Sequence, residues 1–561
     1  MITNFLKIIF FCLIIFNQNT AYSQNYNKPF NSKKMANYFS SLVSFNNNEN
    51  QKFLNFFESS KFLKDSNKIY VSQYLISLVL EGKIIKAINK AKILKTKKIN
   101  ESYISNLLLV VDNLKNKEFK KNLLHINELN IYKKENELQN VILNSLQDFL
   151  YLFHHDKIVD RTGNNFGQLS IINRTFQKCY LGDDGTENFF DNVINSENGD
   201  YSRYLFFYVN FLIAEGKIDE AKKISNKINL LSDSLLAAQT KDWIDKKKFN
   251  NFNEIFSCKN PEDIISEFFY LIASLYSSEE DIKKSNFYLK ISDYLNPKFE
   301  FNLSLFAENY HEIENFELSK FFLKTFKKDN LAYYWYKLKK EAEIIKKEKD
   351  KNSSFNFIHS EFNKIKSPSI RIIFDMANIA KNLEKYDLSI KYYSTILSNL
   401  EKESLLYADI LYRRGSCYER LGKYKKADTD FLYSLDINED SYTLNYLAYS
   451  WLERNYQVDL AIEMLEKANK QNKNDPYITD SVGWGYYLIE DYSKAEVFLR
   501  KAVMLMPNDP IVNDHYGDVL WKLGRKIQAH YFWRNVLTLK DTDDKMKKDI
   551  NLKLLNEPDK I

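Results

Sequence analysis

Residues 476–509 read PYITDSVGWGYYLIEDYSKAEVFLRKAVMLMPND, and neighbouring stretches repeat this pattern with a period of 34 residues. Alanines recur at this spacing, and a bulky residue follows each of them four positions later. The alanines are Ala427, Ala461, Ala495 and Ala529, and the bulky residues are Phe431, Leu465, Leu499 and Trp533. Small residues also recur upstream, at Gly415, Ala448, Gly483 and Gly517. A fixed period of this length predicts an array of structural repeats.

The residue types of this pattern predict pairs of antiparallel helices. Two helices approach each other closely only where a side chain is small, which glycine or alanine on one helix and alanine on the other provide. Pro476 and Pro510 each open a repeat at a position where the missing backbone N–H has no cost. The whole chain has only 13 glycines and 8 prolines in 561 residues, which favours long helices over a β-rich fold.

The pattern resembles the tetratricopeptide repeat family. That family combines a glycine and an aromatic residue on the first helix with alanine, a bulky residue and alanine on the second, followed by a closing proline. The residues that match are Gly483, Tyr486, Ala495, Leu499, Ala502 and Pro507. Lys473 and Ala448 depart from the pattern in the preceding repeat. The resemblance implies an all-α fold, a right-handed superhelical solenoid of antiparallel helix pairs, with ligands bound along its inner curve.

The repeat signal is strongest at the C-terminal end of the chain and weakens towards the N terminus. We predict well-defined repeats over residues 371–543, at about 370–407, 408–441, 442–475, 476–509 and 510–543, and degenerate repeats over 37–370. One continuous array competes with a separate helical N-terminal domain, and the array is favoured because repeats need stacked neighbours. Residues 160–200 are rich in Gly, Asn and Asp, which predicts a long loop or an irregular hairpin. Residues 544–561 are predicted to form a capping helix and tail.

Residues 1–23 have the composition of a secretory signal peptide. Lys7 precedes an apolar run from Ile8 to Phe16, and Ala21-Tyr22-Ser23 places small residues where signal peptidases cut. The run is shorter than the roughly 18 residues that a membrane-spanning helix needs. We therefore predict cleavage after Ser23, a flexible linker over 24–36, and a periplasmic mature chain without a transmembrane segment. Free and peripherally outer-membrane-associated forms are both compatible with the sequence.

The charge content argues against nucleic-acid binding, and the cysteine content limits the number of disulfides. The 80 basic and 74 acidic residues give a net charge of +6 and are spread along the chain, so we predict no nucleic-acid interface. Of the 4 cysteines, Cys12 lies in the apolar run, and Cys179, Cys258 and Cys417 are widely spaced. At most one disulfide can therefore form within the mature chain.

The sequence contains no recognisable catalytic or metal-binding motif. His311-Glu312 begins like a zinc-peptidase helix, but Asn315 stands where the second His ligand is required. His154 and His155 are adjacent, and neighbouring helical residues point about 100° apart, so they rarely share a metal. We therefore predict that the chain is not an enzyme and needs no cofactor.

The face of each first helix opposite its small residue is predicted to be exposed and to contact a partner. The partner-contacting residues predicted are Tyr412, Glu419, Asn445, Tyr449, Tyr477, Asp480, Trp484, Tyr487, Asp514, Asp518 and Trp521. The same face carries Asp409, Ser416, Tyr442, Leu452 and Ile511. None of these is Lys or Arg, so the face suits a peptide with basic and apolar residues. Alternatively, its aromatic residues pack between repeats and its acidic residues are merely solvated.

Three functions compete at this stage. The favoured one is an exported scaffold or adaptor that binds other envelope proteins or peptides, an expectation that rests on the family resemblance. The alternative is a glycan-binding accessory of polysaccharide export, because aromatic grooves also stack on sugars. An enzyme with an unrecognised site in residues 150–200 ranks last.

Overall fold

The computed structural model describes residues 32–60, 68–99, 101–132, 137–159, 166–196, 199–229, 231 and 233–555. All regular structure within these ranges is helical, so the predicted all-α fold of helix pairs is confirmed. None of the described helices is both long enough and apolar enough to cross a membrane. The predicted signal peptide (1–23) and residues 556–561 lie outside the described residues. The predicted linker (24–36) overlaps the first helix, which already begins at Ser32.

The chain divides into two compact units. Unit 1 comprises residues 1–228 and 233–332, and unit 2 comprises residues 229–232 and 333–561. The repeat and domain boundaries predicted from the sequence stay predictions. The helices of unit 1 are α1 (Ser32–Asn46), α2 (Asn50–Ser59), α3 (Lys68–Leu80), α4 (Ile84–Lys97), α5 (Tyr103–Lys115), α6 (Phe119–Leu129), α7 (Glu137–His155), α8 (Gln168–Leu181), α9 (Thr186–Ile194), α10 (Arg203–Ala214), α11 (Ile218–Asn226), α12 (Leu235–Asp245), α13 (Asn250–Ile255), α14 (Pro261–Ser278), α15 (Ile282–Leu295), α16 (Asn302–Glu312) and α17 (Phe316–Leu323), with a 3₁₀ turn at Asn130–Tyr132.

Contacts between helices far apart in the sequence hold unit 1 together. Helix α15 packs against α3, α4 and α5, and α14 packs against α5 and α7. Lys115 Nζ, at the end of α5, donates to Glu262 Oε2 at 2.8 Å and to the carbonyl oxygen of Leu295 at 3.0 Å. Unit 1 therefore departs from a solenoid in which each repeat contacts only its sequence neighbours.

A buried ion pair connects α10 to α14 inside unit 1. Arg203 donates through Nε and Nη2 to the two carboxylate oxygens of Glu267, at 2.8 and 2.6 Å. Glu267 has no exposed surface. The guanidinium carbon lies 3.8 Å from the ring centroid of Tyr270 and 4.2 Å from that of Phe301. This bidentate pair, enclosed by aromatic rings, fixes the two helices relative to each other.

Two helices occupy most of the glycine-rich region at 160–200. Helices α8 and α9 pack against each other, so the predicted long loop is wrong for this part and an irregular hairpin is found instead. Three of its glycines stand at helix ends: Gly167 precedes α8, Gly182 follows α8 with a φ of 72°, and Gly185 precedes α9. Cys179 on α8 forms a disulfide with Cys258, 79 residues further along the chain.

Unit 2 consists of successive antiparallel helix pairs. Its helices are α18 (Leu331–Glu348), whose first residues belong to unit 1, α19 (Lys351–Asn363), α20 (Ile370–Asn382), α21 (Tyr386–Leu397), α22 (Leu405–Arg420), α23 (Tyr424–Ile437), α24 (Ser441–Glu453), α25 (Val458–Gln471), α26 (Pro476–Leu488), α27 (Tyr492–Leu505), α28 (Pro510–Lys522), α29 (Lys526–Thr538) and α30 (Asp544–Leu555). From α20 to α29, each even-numbered helix packs against the next helix along the chain. Helix α30 packs on α29 and buries Ile550 completely.

Glycines of the first helices lie directly against bulky residues of the second helices in unit 2. A Cβ atom built on Gly483 would lie 2.6 Å from Leu499 Cγ. On Gly517 it would lie 2.5 Å from Trp533 Nε1, and on Gly415 it would lie 3.1 Å from the Phe431 ring. The pairing of small and bulky residues predicted from the period is therefore confirmed in three repeats.

Aspartates fix the start of the first helices. The Asp475 carboxylate accepts from the backbone N–H of Ile478 at 2.9 Å, and Asp509 accepts from Ile511 and Val512 at 2.9 and 3.0 Å. Each aspartate is followed by a proline at the first helical position. Capping by aspartate and the restricted φ of proline define the helix start. These caps thereby set which residues of α26 and α28 share a face.

Candidate functional site

The first helices of the last three pairs, α24, α26 and α28, lie side by side in unit 2. We call the side that carries the predicted partner-contacting residues the first-helix face. It is defined by residues at corresponding positions of three consecutive repeats, namely Asn445, Tyr449, Asp480, Trp484, Asp514 and Asp518.

Trp484 connects the three helices of this face. Its ring stacks on the His515 ring of α28 with centroids 4.0 Å apart, and on Tyr487 at 4.6 Å. Its Nε1 donates to Glu453 of α24 at 3.4 Å. An aromatic residue held from both sides in this way presents a fixed surface to a ligand.

Asp480 is a buried carboxylate, only 6% exposed, on α26. His515 Nδ1 lies 2.8 Å from Asp480 Oδ2, and because an ionised carboxylate can only accept, Nδ1 carries the proton. Burial acts to lower the pKa of His515, but the nearby Asp480, Asp514 and Asp518 outweigh it, so the pKa is raised. The His515 ring is therefore protonated more readily than an ordinary histidine.

Two acceptor oxygens of the first-helix face lack a donor. Asp480 Oδ1 and Asn445 Oδ1 are buried and have no hydrogen-bond partner among the described residues. They stand 35 residues apart, at corresponding positions of consecutive repeats. A buried polar group without a partner costs about 1–3 kcal/mol. A ligand that brings N–H groups to these two positions would remove that cost.

The next position of the same series is already occupied by a cation. Lys553 of α30 donates to Asp514 Oδ1 at 2.6 Å and to both carboxylate oxygens of Asp518, at 2.7 and 2.8 Å. Burial and the neighbouring Asp514 raise the pKa of Asp518 to about 6, against the opposing effect of Lys553. The paired carboxylates in turn raise the pKa of Lys553 although burial acts to lower it. The last repeat thus binds a lysine from the chain itself.

A cavity of about 390 Å³ lies beside this lysine. Its lining includes Tyr487, Trp521 and Trp533 as well as Asp518 and Leu552. Aromatic walls next to a carboxylate suit a side chain with a long apolar stem and a basic end.

The earlier part of the predicted face contributes to packing between repeats. The Tyr412 ring lies 6.0 Å from Phe431 and 5.8 Å from Tyr446 of the next repeat. Glu419 accepts a hydrogen bond from the Tyr446 hydroxyl at 3.2 Å. Tyr412 and Glu419 thus contact the next repeat, which fits the alternative that this face packs between repeats better than it fits an open groove.

The exposure predicted for the whole face is wrong at four positions. Ser416, Leu452, Asp480 and Trp521 are all buried. Neighbouring side chains cover these residues. His515 covers Asp480 through its hydrogen bond, and the Trp533 ring covers Trp521, with the two ring centroids 5.4 Å apart. Partner contact by the predicted residues stays a prediction.

A row of exposed side chains borders the face, and a tyrosine lies half-buried within it. Tyr442, Tyr477 and Ile511 occupy corresponding positions of three consecutive repeats, and each side chain is more than half exposed. Tyr449 is half-buried, and burial together with its hydrogen bond to Glu453 raises its pKa. The face therefore combines buried acceptors with an exposed apolar border.

Two residues of this site were not predicted from the sequence. His515 lies one residue after Asp514 and was given no role, and no pattern in the sequence indicates its contact with Asp480. Lys553 lies in the C-terminal tail, and only the amphipathic character of that tail indicated that α30 would pack against the repeats.

Comparison with known proteins agrees with the helix-pair geometry. A family model described as tetratricopeptide repeat matches residues 408–441. The chain is similar to the TPR repeat-containing protein PA4667 of Pseudomonas aeruginosa, with 31% identity over 142 residues. This match covers 25% of the present chain and spans only 23% of that relative.

Solved structures with similarity to the chain include other tetratricopeptide repeat proteins. One from Parabacteroides merdae has 14% identity and a TM-score of 0.35, covering 52% of this chain and 98% of its own. Another, TTC0263 from Thermus thermophilus, has 18% identity and a TM-score of 0.30, covering 33% of this chain and 100% of its own. Residues 408–441 therefore match a tetratricopeptide repeat, and the neighbouring helix pairs of unit 2 continue its pattern.

Proposed function

We propose that this chain is an exported scaffold of the cell envelope that binds basic, apolar segments of partner proteins on its first-helix face. Tetratricopeptide repeats support the general role of a protein interaction scaffold. The specific ligand and the location are our proposals.

The observation that carries the ligand proposal is the half-satisfied carboxylate of Asp480. One oxygen is held by His515, and the other is buried without a donor among the described residues. In the preceding repeat, Asn445 Oδ1 is likewise buried without a hydrogen-bond donor among the described residues. A lysine or arginine side chain supplies several N–H donors and a charge that complements the carboxylate.

Lys553 supports the same chemistry from within the chain. At the third position of the series, Asp514 already accepts a lysine that projects from a helix. A partner helix with basic residues at suitable spacing would make the corresponding contact with Asp480, while its apolar residues would rest on Tyr442, Tyr477 and Ile511.

Replacing Asp480 by Asn tests this proposal. The amide keeps the size of the side chain but removes its charge, so binding of a basic partner segment is expected to weaken about tenfold. Partners are captured from an envelope extract by cross-linking, their contact segments are identified by mass spectrometry, and matching synthetic peptides are titrated by fluorescence anisotropy.

Glu463→Gln provides the matched control. Glu463 is exposed on the second helix α25, so its substitution removes the same charge away from the first-helix face. This control variant is expected to bind like the wild type. Capture of segments without Lys or Arg, or equal affinity of the Asp480→Asn and wild-type chains, would contradict the proposal.

Two features support export. Residues 1–23 have the charge and apolar pattern of a signal peptide. The Cys179–Cys258 disulfide is of a kind that forms and persists in oxidising compartments such as the periplasm.

Export and the disulfide can be checked on the protein from its native cell. The mature chain is expected to begin at Gln24 and to be released with the periplasmic fraction. Denatured without reductant, it is expected to expose one thiol, that of Cys417, and after reduction three. Mass spectrometry after alkylation counts these thiols. A full-length N terminus together with four free thiols before reduction, that of Cys12 included, would contradict export.

A further inference from the structure

A second candidate site lies in unit 1. A cavity of about 760 Å³ opens between α15, the pair α16 and α17, and the turns that follow α1 and α3.

Lys290 brings to this cavity a positive charge that is in direct contact with no carboxylate of the described residues. Its ammonium group has no hydrogen bond or ion pair with any residue that the structure describes. It lies 4.7 Å from the ring centroid of Phe306 and 5.2 Å from that of Phe322. Burial lowers the pKa of Lys290 despite the opposing charges of Asp293 and Glu81. A bound anion would compensate this ammonium.

Three asparagine side chains add neutral donors to the same cavity. Asn286 Oδ1 accepts from Asn309 Nδ2 at 2.8 Å, and Asn315 Oδ1 accepts from the backbone N–H of Leu318 at 3.2 Å. Asn50 Oδ1 accepts from Ser77 at 3.5 Å. The oxygen of each amide thus accepts a hydrogen bond, and the NH₂ group of each donates none to a described residue, so three pairs of N–H donors remain for a ligand.

The cavity also offers an acceptor and aromatic surfaces. Glu81 also lines it. The Tyr310 ring stacks on Phe322 with centroids 5.7 Å apart, and Phe321 at the mouth is 62% exposed. Amide donors, a carboxylate acceptor and exposed ring faces together match sugar rings, whose hydroxyls both donate and accept and whose C–H faces stack on aromatic residues.

We propose that this cavity binds an acidic saccharide, with the carboxylate of a uronic acid residue on Lys290 and its hydroxyls on the amides of Asn50, Asn286 and Asn315. A single compensating cation matches a monoanionic carboxylate better than a dianionic phosphate. The other lysine of the lining, Lys283, already donates to the carbonyl oxygen of Phe45 and lies 3.8 Å from the Phe45 ring centroid. A fatty acid would leave the three amides and Glu81 without partners.

Isothermal titration of the purified chain with a short oligogalacturonate tests the proposal. The wild type is expected to bind it, and to bind the neutral galactose oligomer of the same length at least about tenfold more weakly. Lys290→Met keeps the apolar stem and removes the ammonium. This variant is expected to lose about tenfold or more in affinity for the oligogalacturonate. Its melting temperature is expected to be unchanged or higher, because a charge without a direct ion-pair partner has been removed from a partly buried position.

Lys324→Met serves as the matched control, because Lys324 is exposed in unit 1 and does not line the cavity. It is expected to bind like the wild type. The proposal is overturned if the wild type binds no oligogalacturonate, if Lys290→Met binds it unchanged, or if a fatty acid or an acidic peptide binds more tightly at the same lysine. The outcome is independent of the Asp480 experiment, which probes unit 2.

Discussion

Substitution of Glu267 by Gln is expected to lower the free energy of unfolding of unit 1 by about 3–5 kcal/mol, the usual cost of removing one partner of a buried ion pair. The substitution leaves the Arg203 guanidinium without its countercharge between the rings of Tyr270 and Phe301. Urea unfolding followed by circular dichroism measures the loss. Hydrogen exchange on α10 and α14 assigns the loss to unit 1, because these helices carry the pair.

Two further variants test whether the loss of stability comes from breaking this ion pair or from the loss of any charge. Glu187→Gln breaks the solvent-exposed pair with Lys217 and is expected to change stability by less than about 1 kcal/mol. The double variant Arg203→Met with Glu267→Leu removes both charges and is expected to regain most of the loss. If Glu267→Gln unfolds at the same urea concentration as the wild type, the pair contributes no stability.

Substitution of Gly483 by Ala is expected to destabilise unit 2 by about 1–3 kcal/mol, although alanine is the better helix former. The added methyl group would lie 2.6 Å from Leu499 Cγ and 3.0 Å from the Leu499 backbone nitrogen. A side-chain rotation cannot move that nitrogen, so α26 and α27 must separate. Thermal unfolding of the purified chain by circular dichroism, with hydrogen exchange on α27, measures the effect.

Gly485 provides the control within the same helix. A Cβ atom there would meet the terminal methyl carbons of Ile462, Leu452 and Leu465, each at 3.0 Å, and flexible side-chain ends can move aside. Gly485→Ala is therefore expected to stay within about 1 kcal/mol of the wild type, since the helix propensity of alanine offsets part of the crowding. Equal losses for the two variants would contradict the role assigned to the contact between Gly483 and Leu499.

The sequence predicted unit 2 well because its decisive contacts are local and periodic. Gly483 and Leu499 lie 16 residues apart, within one helix pair, so the period alone indicates that they meet. The same reasoning placed Asn445, Asp480 and Asp514 at corresponding positions. Composition left a long loop and an irregular hairpin open at 160–200, because it does not show that Gly167, Gly182 and Gly185 stand at the ends of two helices, α8 and α9.

Contacts between distant residues could not be predicted from a period. Lys115 meets Glu262 across 147 residues and Cys179 meets Cys258 across 79, and a single sequence carries no sign of either pairing. Lys553 reaches Asp514 from a tail that lacks the repeat pattern. The burial of Asp480 follows from His515, whose contact crosses from one repeat to the next. The two candidate sites both depend on such contacts.

For the basic partner segments proposed above, the lysine of the C-terminal helix would make binding at the last repeat an exchange reaction. A basic partner residue can reach Asp514 and Asp518 only after α30 withdraws Lys553, so one ion pair replaces another with little net gain in charge pairing. The apparent dissociation constant at that repeat equals the intrinsic one divided by the fraction of molecules whose helix is undocked. Selectivity then comes from the contacts a partner makes beyond the lysine, and weakly matched basic segments are rejected.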